Sequence, residues 1–516
     1  MVQSYDYTQM YDSMSLSITM SDLYDCGVQD DLLVLLNEVN INMKISINTS
    51  YGLTEPVIIP ALVAQGDLFA PLQAAVQVDS MTRRLEEQDL AREEAGEHGL
   101  LYKYKGKVTI PSLGLMDDNL TVSEAGFKAD EINIFMNENS ATKLLQFNTK
   151  KCKYLRMGKP KNMVVPTQLE VDSWVITYDD QDNLVETEGE KVEMQEETEI
   201  KYLGFVISGN ASNVANILEK KMKSIGTIRS ITNMIKGLET FTIKNGLIYL
   251  NSLLRSSILY AGETYYNLSE KELRMVEMIE EECLSKILNT GRHCPRAILY
   301  LETGHHPARF QIFRMMLNFL KYILDQEKNS LVSRFFIAQK DNPIKGDWVS
   351  YVMKLLKDME INLTLEDIEK MKRNPFKKIV NKQVQKASFK YLISKIKSKG
   401  KEIRYGTVLK CQGYLMPNSI LTLEEQLNIF SYRARMNNLQ NNFPGNKIIE
   451  LCKCGTEMSN EHLYECNFLN NSEKKVDYSR IFEGRLCEMK YILNILEENK
   501  IQFEFTQAQN SRSWRH

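Results

Sequence analysis

No apolar run approaches the roughly 18 residues that a membrane-spanning helix needs, and Met1 to Met10 hold neither a basic start nor an apolar signal core. The chain therefore reads as neither secreted nor transmembrane, and as intracellular, nuclear or cytoplasmic. Glycine (25) and proline (12) are scarce in the 516 residues, which excludes collagen-like and mucin-like chains; 43% apolar residues exclude a largely disordered one. Cysteine offers no disulfide framework, because nine residues without regular spacing are an odd set and point to a reducing compartment. A basic excess is missing too, and a net charge of −3 ordinarily argues against a nucleic-acid partner.

That small total is a cancellation. Between Glu170 and Glu199 twelve acidic residues stand against Lys191 alone, while between Lys370 and Lys410 fourteen basic residues stand against Glu402 alone. The acidic stretch, with Asp179-Asp180-Gln181-Asp182 and no sustained periodicity, reads as a solvated connection. The basic stretch interleaves Phe376, Phe389, Tyr391 and Tyr405, so it combines phosphate neutralisation with surfaces for base stacking.

Periodicity divides the chain. Lys44 to Asn48 alternates before Tyr51-Gly52, Tyr102 to Ile110 alternates around Gly106, and Leu113-Gly114-Leu115 and Leu120 to Ser123 flank Met116-Asp117-Asp118-Asn119. These read as hairpins. From about residue 212 apolar residues recur at helical spacing, as at Val214, Ile217, Leu218, Met222 and Ile225, so the fold class is α+β followed by a mainly helical remainder. Asp12, ahead of an amphipathic run, reads as a helix N-cap, and His305-His306, between Gly304 and Pro307, as part of a structural turn.

Two adjacent carboxylates at a hairpin tip repel, and a divalent cation with oxygen ligands would relieve that repulsion. Asp117-Asp118 gains weight from its company. Ser4 to Asp12 puts Asp6 at the end of a short strand; Val63-Ala64-Gln65-Gly66-Asp67 forms a Gln-Gly corner; Lys150-Lys151-Cys152-Lys153 follows the acidic hairpin, and Tyr202-Leu203-Gly204 comes after that. In these residues the chain resembles the reverse transcriptase of non-LTR (LINE-like) retrotransposons, with motifs A to E in order over about 205 residues.

The resemblance implies a polymerase palm, an antiparallel sheet with helices, followed by a thumb. It makes Asp6, Asp117 and Asp118 the holders of two Mg2+ ions that activate a primer 3′-hydroxyl and neutralise the triphosphate, the backbone of Tyr7 a neighbour of that triphosphate, Gln65 and Gly66 the template corner, Lys151 a general acid toward pyrophosphate, and Tyr202, Leu203 and Gly204 the primer grip. The implied partners are an RNA template, a DNA primer or target, and dNTPs, with no membrane. Leu115 stands where the family usually has an aromatic, and Ala64 where a basic residue is common. Because Asp6 lies six residues from Met1, the fingers subdomain and its triphosphate clamp are expected to be missing, as in a truncated copy. Only fifty residues follow Cys466, too few for a downstream endonuclease.

Near the C-terminus Cys452-Lys453-Cys454-Gly455 precedes His462 and Cys466. Two cysteines at a turn and a His/Cys pair one helical turn apart can converge on tetrahedral Zn2+, and the pattern resembles the CCHC knuckle of several such elements. The expected organisation is 1–210 palm, 211–330 helical thumb and extension, 331–446 helical basic region, 447–480 zinc knuckle and 481–516 tail. The expected activity is RNA-directed DNA polymerisation, a nucleotidyl transfer; the alternative is a non-catalytic nucleic-acid-binding remnant of a retroelement.

Overall fold

The computed structural model describes residues 1–8, 10–41, 44–58, 69–115, 117–124, 126–158, 169–172, 175–178, 184–187, 191–237, 242–290, 294–397, 409–415, 421–434, 451–452, 454–466 and 486–498. The fold is α+β, mostly helical with small sheets. It divides into two compact units, Met1–Asn216 and Ile217–His516.

The first unit is organised by β1 (Val2–Asp6), α1 (Leu16–Asp25), α2 (Ala70–Glu94), β2 (Leu113–Leu115), β3 (Asp118–Val122), α3 (Gly126–Thr142), β4 (Lys153–Leu155), β5 (Gln195–Glu197), β6 (Glu199–Tyr202) and β7 (Phe205–Ser208). The main sheet has the order β5-β4-β1-β3-β2, antiparallel except for the parallel pair β4 and β5. Side chains alternate across a sheet, so β1 has two jobs. Tyr5 belongs to a core with Val78 and Met81 of α2 and Ala129, Ile132 and Met136 of α3, whereas Val2 packs with Leu120, Leu155 and Ile200 on the opposite face. The Tyr5 hydroxyl donates to Asn133 Oδ1 of α3 at 3.1 Å, fixing that helix beneath the sheet. Gly114 lets β2 approach α2, since a Cβ there would lie 2.2 Å from Val78 Cγ1.

Three local expectations are corrected. The acidic stretch is more than a connection: Glu170–Asp172 pairs with Lys191–Glu193, Val175–Tyr178 pairs with Leu184–Thr187, and β5 joins the main sheet. Strands of three or four residues, anchored by Leu169, Val171 and Met194 in the core, are too short to leave a periodic pattern. Asp179-Asp180-Gln181-Asp182 lies outside the described residues. Asp12 does not cap the amphipathic helix, because it lies within a short turn of helix, Met10–Ser13, and Ser15 holds the N-cap position of α1.

The second unit contains α4 (Val214–Gly237, whose first turn lies in the first unit), α5 (Ile243–Tyr249), α6 (Glu270–Ile287), α7 (Arg296–Thr303), α8 (Ala308–Leu324), α9 (Leu331–Asp341), α10 (Trp348–Asp358), α11 (Leu365–Lys370), α12 (Arg373–Lys397), α13 (Leu423–Arg433), α14 (Asn460–Glu465) and α15 (Leu486–Glu498). The core joins α5, α6, α7, the end of α12, α13 and α15. Segment 481–516, expected as a tail, thus supplies a helix that buries Met489, Ile492, Ile495 and Leu496. Among the described residues no helix is long and apolar enough to cross a membrane.

The third correction concerns the basic stretch. Phe376, Val380, Val384, Ser388, Leu392 and Ile396 fall on one buried stripe of α12. Phe376 is fully buried, Phe389 packs on the core, and the Tyr391 ring lies edge-on to Phe310 with the Arg309 guanidinium over it. These three aromatics are spent on packing, whereas the lysines between them are exposed; Tyr405 lies outside the described residues.

Candidate functional site

Register brings the aspartates together. Asp6 and Asp118 are direct partners on β1 and β3, and Asp117 occupies the turn between β2 and β3. Their face of the sheet is the one opposite α2 and α3, since Val2, Ser4 and Asp6 alternate with the inward Gln3 and Tyr5. Asp6 is pinned beyond the strand as well. Asn148 N–H donates to the Asp6 carbonyl at 2.7 Å, Tyr7 bridges to Phe147, and Thr8 N–H donates to the Gln146 carbonyl at 2.8 Å.

The turn from Asn148 to Cys152 then delivers Lys151, whose Nζ lies 2.9 Å from Asp6 Oδ2. Sequence alone could not choose among three clustered lysines. The structure separates them: Lys151 reaches Asp6, Lys153 pairs with Glu197 at 2.7 Å, and Lys150 is exposed. The hydrogen bond to Asp6 raises the Lys151 ammonium above its ordinary value, despite an opposing desolvation effect. Burial raises the Asp118 carboxyl, and the charges of Asp117 and Asp6 raise it further. Asp6 and Asp118 thus face each other across the strand pair, with Asp117 in the adjoining turn and Lys151 as counterion to Asp6, while the metal-capable ligand group found among the described residues is the Cys/His cluster of the second unit.

Tyr7 keeps its side chain in the core, stacked on Phe147 at 4.9 Å with its hydroxyl toward Met81 Sδ, so only its backbone is left to face a ligand. The β6–β7 turn carries Leu203 and Gly204, both with positive φ (48° and 77°). A leucine in that conformation is strained by roughly 1–2 kcal/mol. The Tyr202 hydroxyl donates to the Leu113 carbonyl of β2 at 2.9 Å, which ties this turn to the acidic hairpin, and burial followed by the Asp118 charge raises the Tyr202 phenol. Gln65 and Gly66 lie outside the described residues.

In the second unit Cys452, Cys454, His462 and Cys466 converge, with all ligand atoms within 4.8 Å of one another. Cys452 Sγ and Cys466 Sγ are 3.6 Å apart, Cys466 Sγ and Cys454 Sγ 3.7 Å, and Cys454 Sγ and His462 Nε2 3.2 Å. Tetrahedral zinc with its ordinary bond lengths requires sulfur pairs about 3.8 Å apart and sulfur–nitrogen pairs about 3.5 Å apart, so the donor set fits zinc. Local structure explains the convergence. Cys452 N–H donates to Thr456 O and Gly455 N–H to Cys452 O, both at 2.8 Å, and Gly455 has φ +87°, closing a tight turn. Ser459 caps α14 by accepting from His462 N–H, and one helical turn brings Cys466 beside His462. Hydrogen bonds with Thr456 bring the Cys454 thiol down to about 6, favouring the thiolate that a metal binds.

The cluster is anchored through α14. Leu463 is fully buried, Asn460 Nδ2 donates to Tyr432 O at 2.8 Å, and the Tyr432 hydroxyl donates to Asn460 O at 2.7 Å. Next to Tyr432, the completely buried Arg433 meets Glu302 of α7 at 2.9 Å, and Tyr414 donates to the same carboxylate at 2.8 Å. His305-His306 does lie in a turn: Gly304 has φ +71°, a Cβ there would lie 2.1 Å from Cys411 N, and both His305 ring nitrogens have partners, Thr303 O and Asn251. The motif reading passed over Arg255 and Arg314, which line one cavity; they are far apart in sequence, so no local pattern marks them. No protein-family model matches the chain, and no curated protein matches it.

Proposed function

We propose that the chain is an RNA-directed DNA polymerase derived from a non-LTR retroelement, with residues 1–210 as its palm and the following helices as its thumb. The observation that carries this reading is the direct pairing of Asp6 with Asp118 on the sheet face opposite α2 and α3, with Asp117 in the adjoining turn and Lys151 on Asp6. Asp6, Asp117 and Asp118 would hold two Mg2+ ions, which when bound lower the charge barrier to attack on a nucleoside triphosphate. Lys151, which its bond to Asp6 keeps charged at neutral pH, would deliver a proton to pyrophosphate. The strained Leu203-Gly204 turn, held to the acidic hairpin by Tyr202, suits a contact with the primer strand.

The test is extension of a DNA primer on an RNA template with dNTPs and Mg2+. Extension by the wild type that disappears in Asp117→Ala, with circular dichroism unchanged, supports the reading; absence of extension by the wild type with any divalent cation sinks it. A second reading, a nucleic-acid-binding remnant without catalysis, draws on the preformed Cys/His cluster and the exposed lysines of α12. Under it, RNA retention is salt-sensitive and indifferent to the aspartates, and no retention at low salt would exclude it.

A further inference from the structure

An open cavity of about 690 Å³ in the second unit is lined by Asn251, Arg255, Ser256, Glu263, Gln311 and Arg314, among others. One wall is a π-helical turn, Leu250–Arg255, an irregularity frequently found at functional sites. The opposite wall is the Gln311 to Met315 stretch of α8.

Its charges pair only in part. The Arg255 guanidinium is bound to the fully buried Glu280 and also donates to His306 O at 2.7 Å and to Asn251 Oδ1 at 3.1 Å. Glu263, the acid of the lining, makes no ion pair among the described residues: its Oε2 is buried without a hydrogen-bond partner, and its charge is felt by the Lys220 ammonium, which burial lowers to about 8. Arg314 is left over. It has no acidic partner among the described residues and is held half-buried near a second guanidinium, and both conditions lower its affinity for its own proton. An arginine kept this way in a cavity with amide and hydroxyl groups is short of one anion.

We infer that this cavity binds one phosphodiester group of a nucleic-acid strand. Arg314 offers one unpaired guanidinium, which matches the single negative charge of a phosphodiester better than a doubly charged phosphate, and the Glu263 carboxylate in the same lining weighs further against a double charge. Asn251, Ser256 and Gln311 supply further hydrogen-bonding groups for its non-bridging oxygens. The inference rests on the nucleic-acid part of the proposed function, and it adds a defined contact in the helical unit that no motif marks.

The experiment measures binding of a fluorescein-labelled RNA·DNA hybrid to the full chain across a salt series, together with thermal shifts in inorganic phosphate. Arg314→Gln should weaken hybrid binding about tenfold or more and reduce the salt slope by about 0.7–0.9, the release expected from one phosphate contact. Ser256→Asp, which puts a negative charge at an exposed lining position, should do the same without disturbing the core, and so serves if Arg314→Gln unfolds. Hybrid binding with unchanged affinity and slope in Ser256→Asp and in folded Arg314→Gln would overturn the inference while leaving the polymerase reading standing. A phosphate-induced shift lost in Arg314→Gln, with hybrid binding intact, would assign the cavity to small phosphates and overturn it too. Loss of extension alone, with Arg314-dependent hybrid binding retained, would remove the polymerase reading and keep this one.

Discussion

The two ligand clusters handle the same problem, several donors forced together, in opposite ways. Asp6, nearly buried, faces Asp118 across the strand pair with Asp117 in the adjoining turn, and Lys151 is the cation paired with Asp6 among the described residues; burial first, and the neighbouring carboxylates second, raise the Asp118 carboxyl. Cys452, Cys454, His462 and Cys466 contact one another at 3.2 to 3.7 Å, within a turn and a capped helix knitted to buried residues. Thiol and imidazole donors, of which Cys454 is drawn toward its thiolate, crowd together at less cost than three carboxylates do. Under the proposed function, the difference separates an aspartate site that would hold an exchangeable hard cation beside a reacting substrate from a Cys/His cluster able to hold a resident metal such as zinc.

The strongest way to break this comparison is at the aspartates. Under the polymerase reading, Asp118→Ala lowers primer extension by ~10³-fold or more, because it removes charge aimed at the reacting phosphates. The same substitution leaves zinc content, measured by atomic absorption, unchanged. A parallel loss of zinc would mean that the clusters are not independent.

Next in size is the support under the thiol cluster. Glu302→Gln leaves Arg433 as an uncompensated charge at a position with no exposure, a change that costs about 3–5 kcal/mol. Urea denaturation of the second unit should show that loss. Since Tyr432 adjoins Arg433 and holds Asn460, zinc should also become easier to strip with a chelator. Chelating the wild type is milder. A metal present at a hundred times its dissociation constant stabilises by about 2.7 kcal/mol, so removing zinc with a zinc-selective chelator in excess Mg2+ should lower the melting temperature by that equivalent without stripping Mg2+ from the aspartates.

Sequence and structure agree most where chemistry is local. Cys452, Cys454, His462 and Cys466 lie within fifteen residues, and a turn plus one helical step suffices to bring them together. The pairing of Asp6 with Asp118 needs strand register across more than a hundred residues, so only the order of the motifs hinted at it. What stayed illegible was decided by packing. The aromatics of α12 looked free because the lysines between them dominated the pattern, while the stripe from Phe376 to Ile396 was the true periodicity. The strands between Glu170 and Glu197 were hidden because acidic side chains on a solvated face mask two or three buried anchors. The Arg314 cavity had no sequence signal at all, since its walls come from separate helical elements.

The smallest expected effect has an informative sign. Burial and two neighbouring carboxylates raise the Asp118 carboxyl above its unfolded value, so the folded state binds this proton more tightly than the unfolded one. Above the raised value, ionised Asp118 works against folding, and that penalty fades as pH falls through it. Asp118→Asn, in metal-free buffer at neutral pH, should therefore stabilise the first unit, by about 0.2–1 kcal/mol because the site faces solvent. The gap between variant and wild type should close as the pH is lowered through the carboxylate range. Added Mg2+ should reverse the order, since the wild type gains a ligand that the variant binds less well. Thermal melts across pH, with and without Mg2+, decide the matter: an Asp118→Asn variant that is less stable than wild type in every condition would make this aspartate a structural residue and remove the contrast between the two clusters.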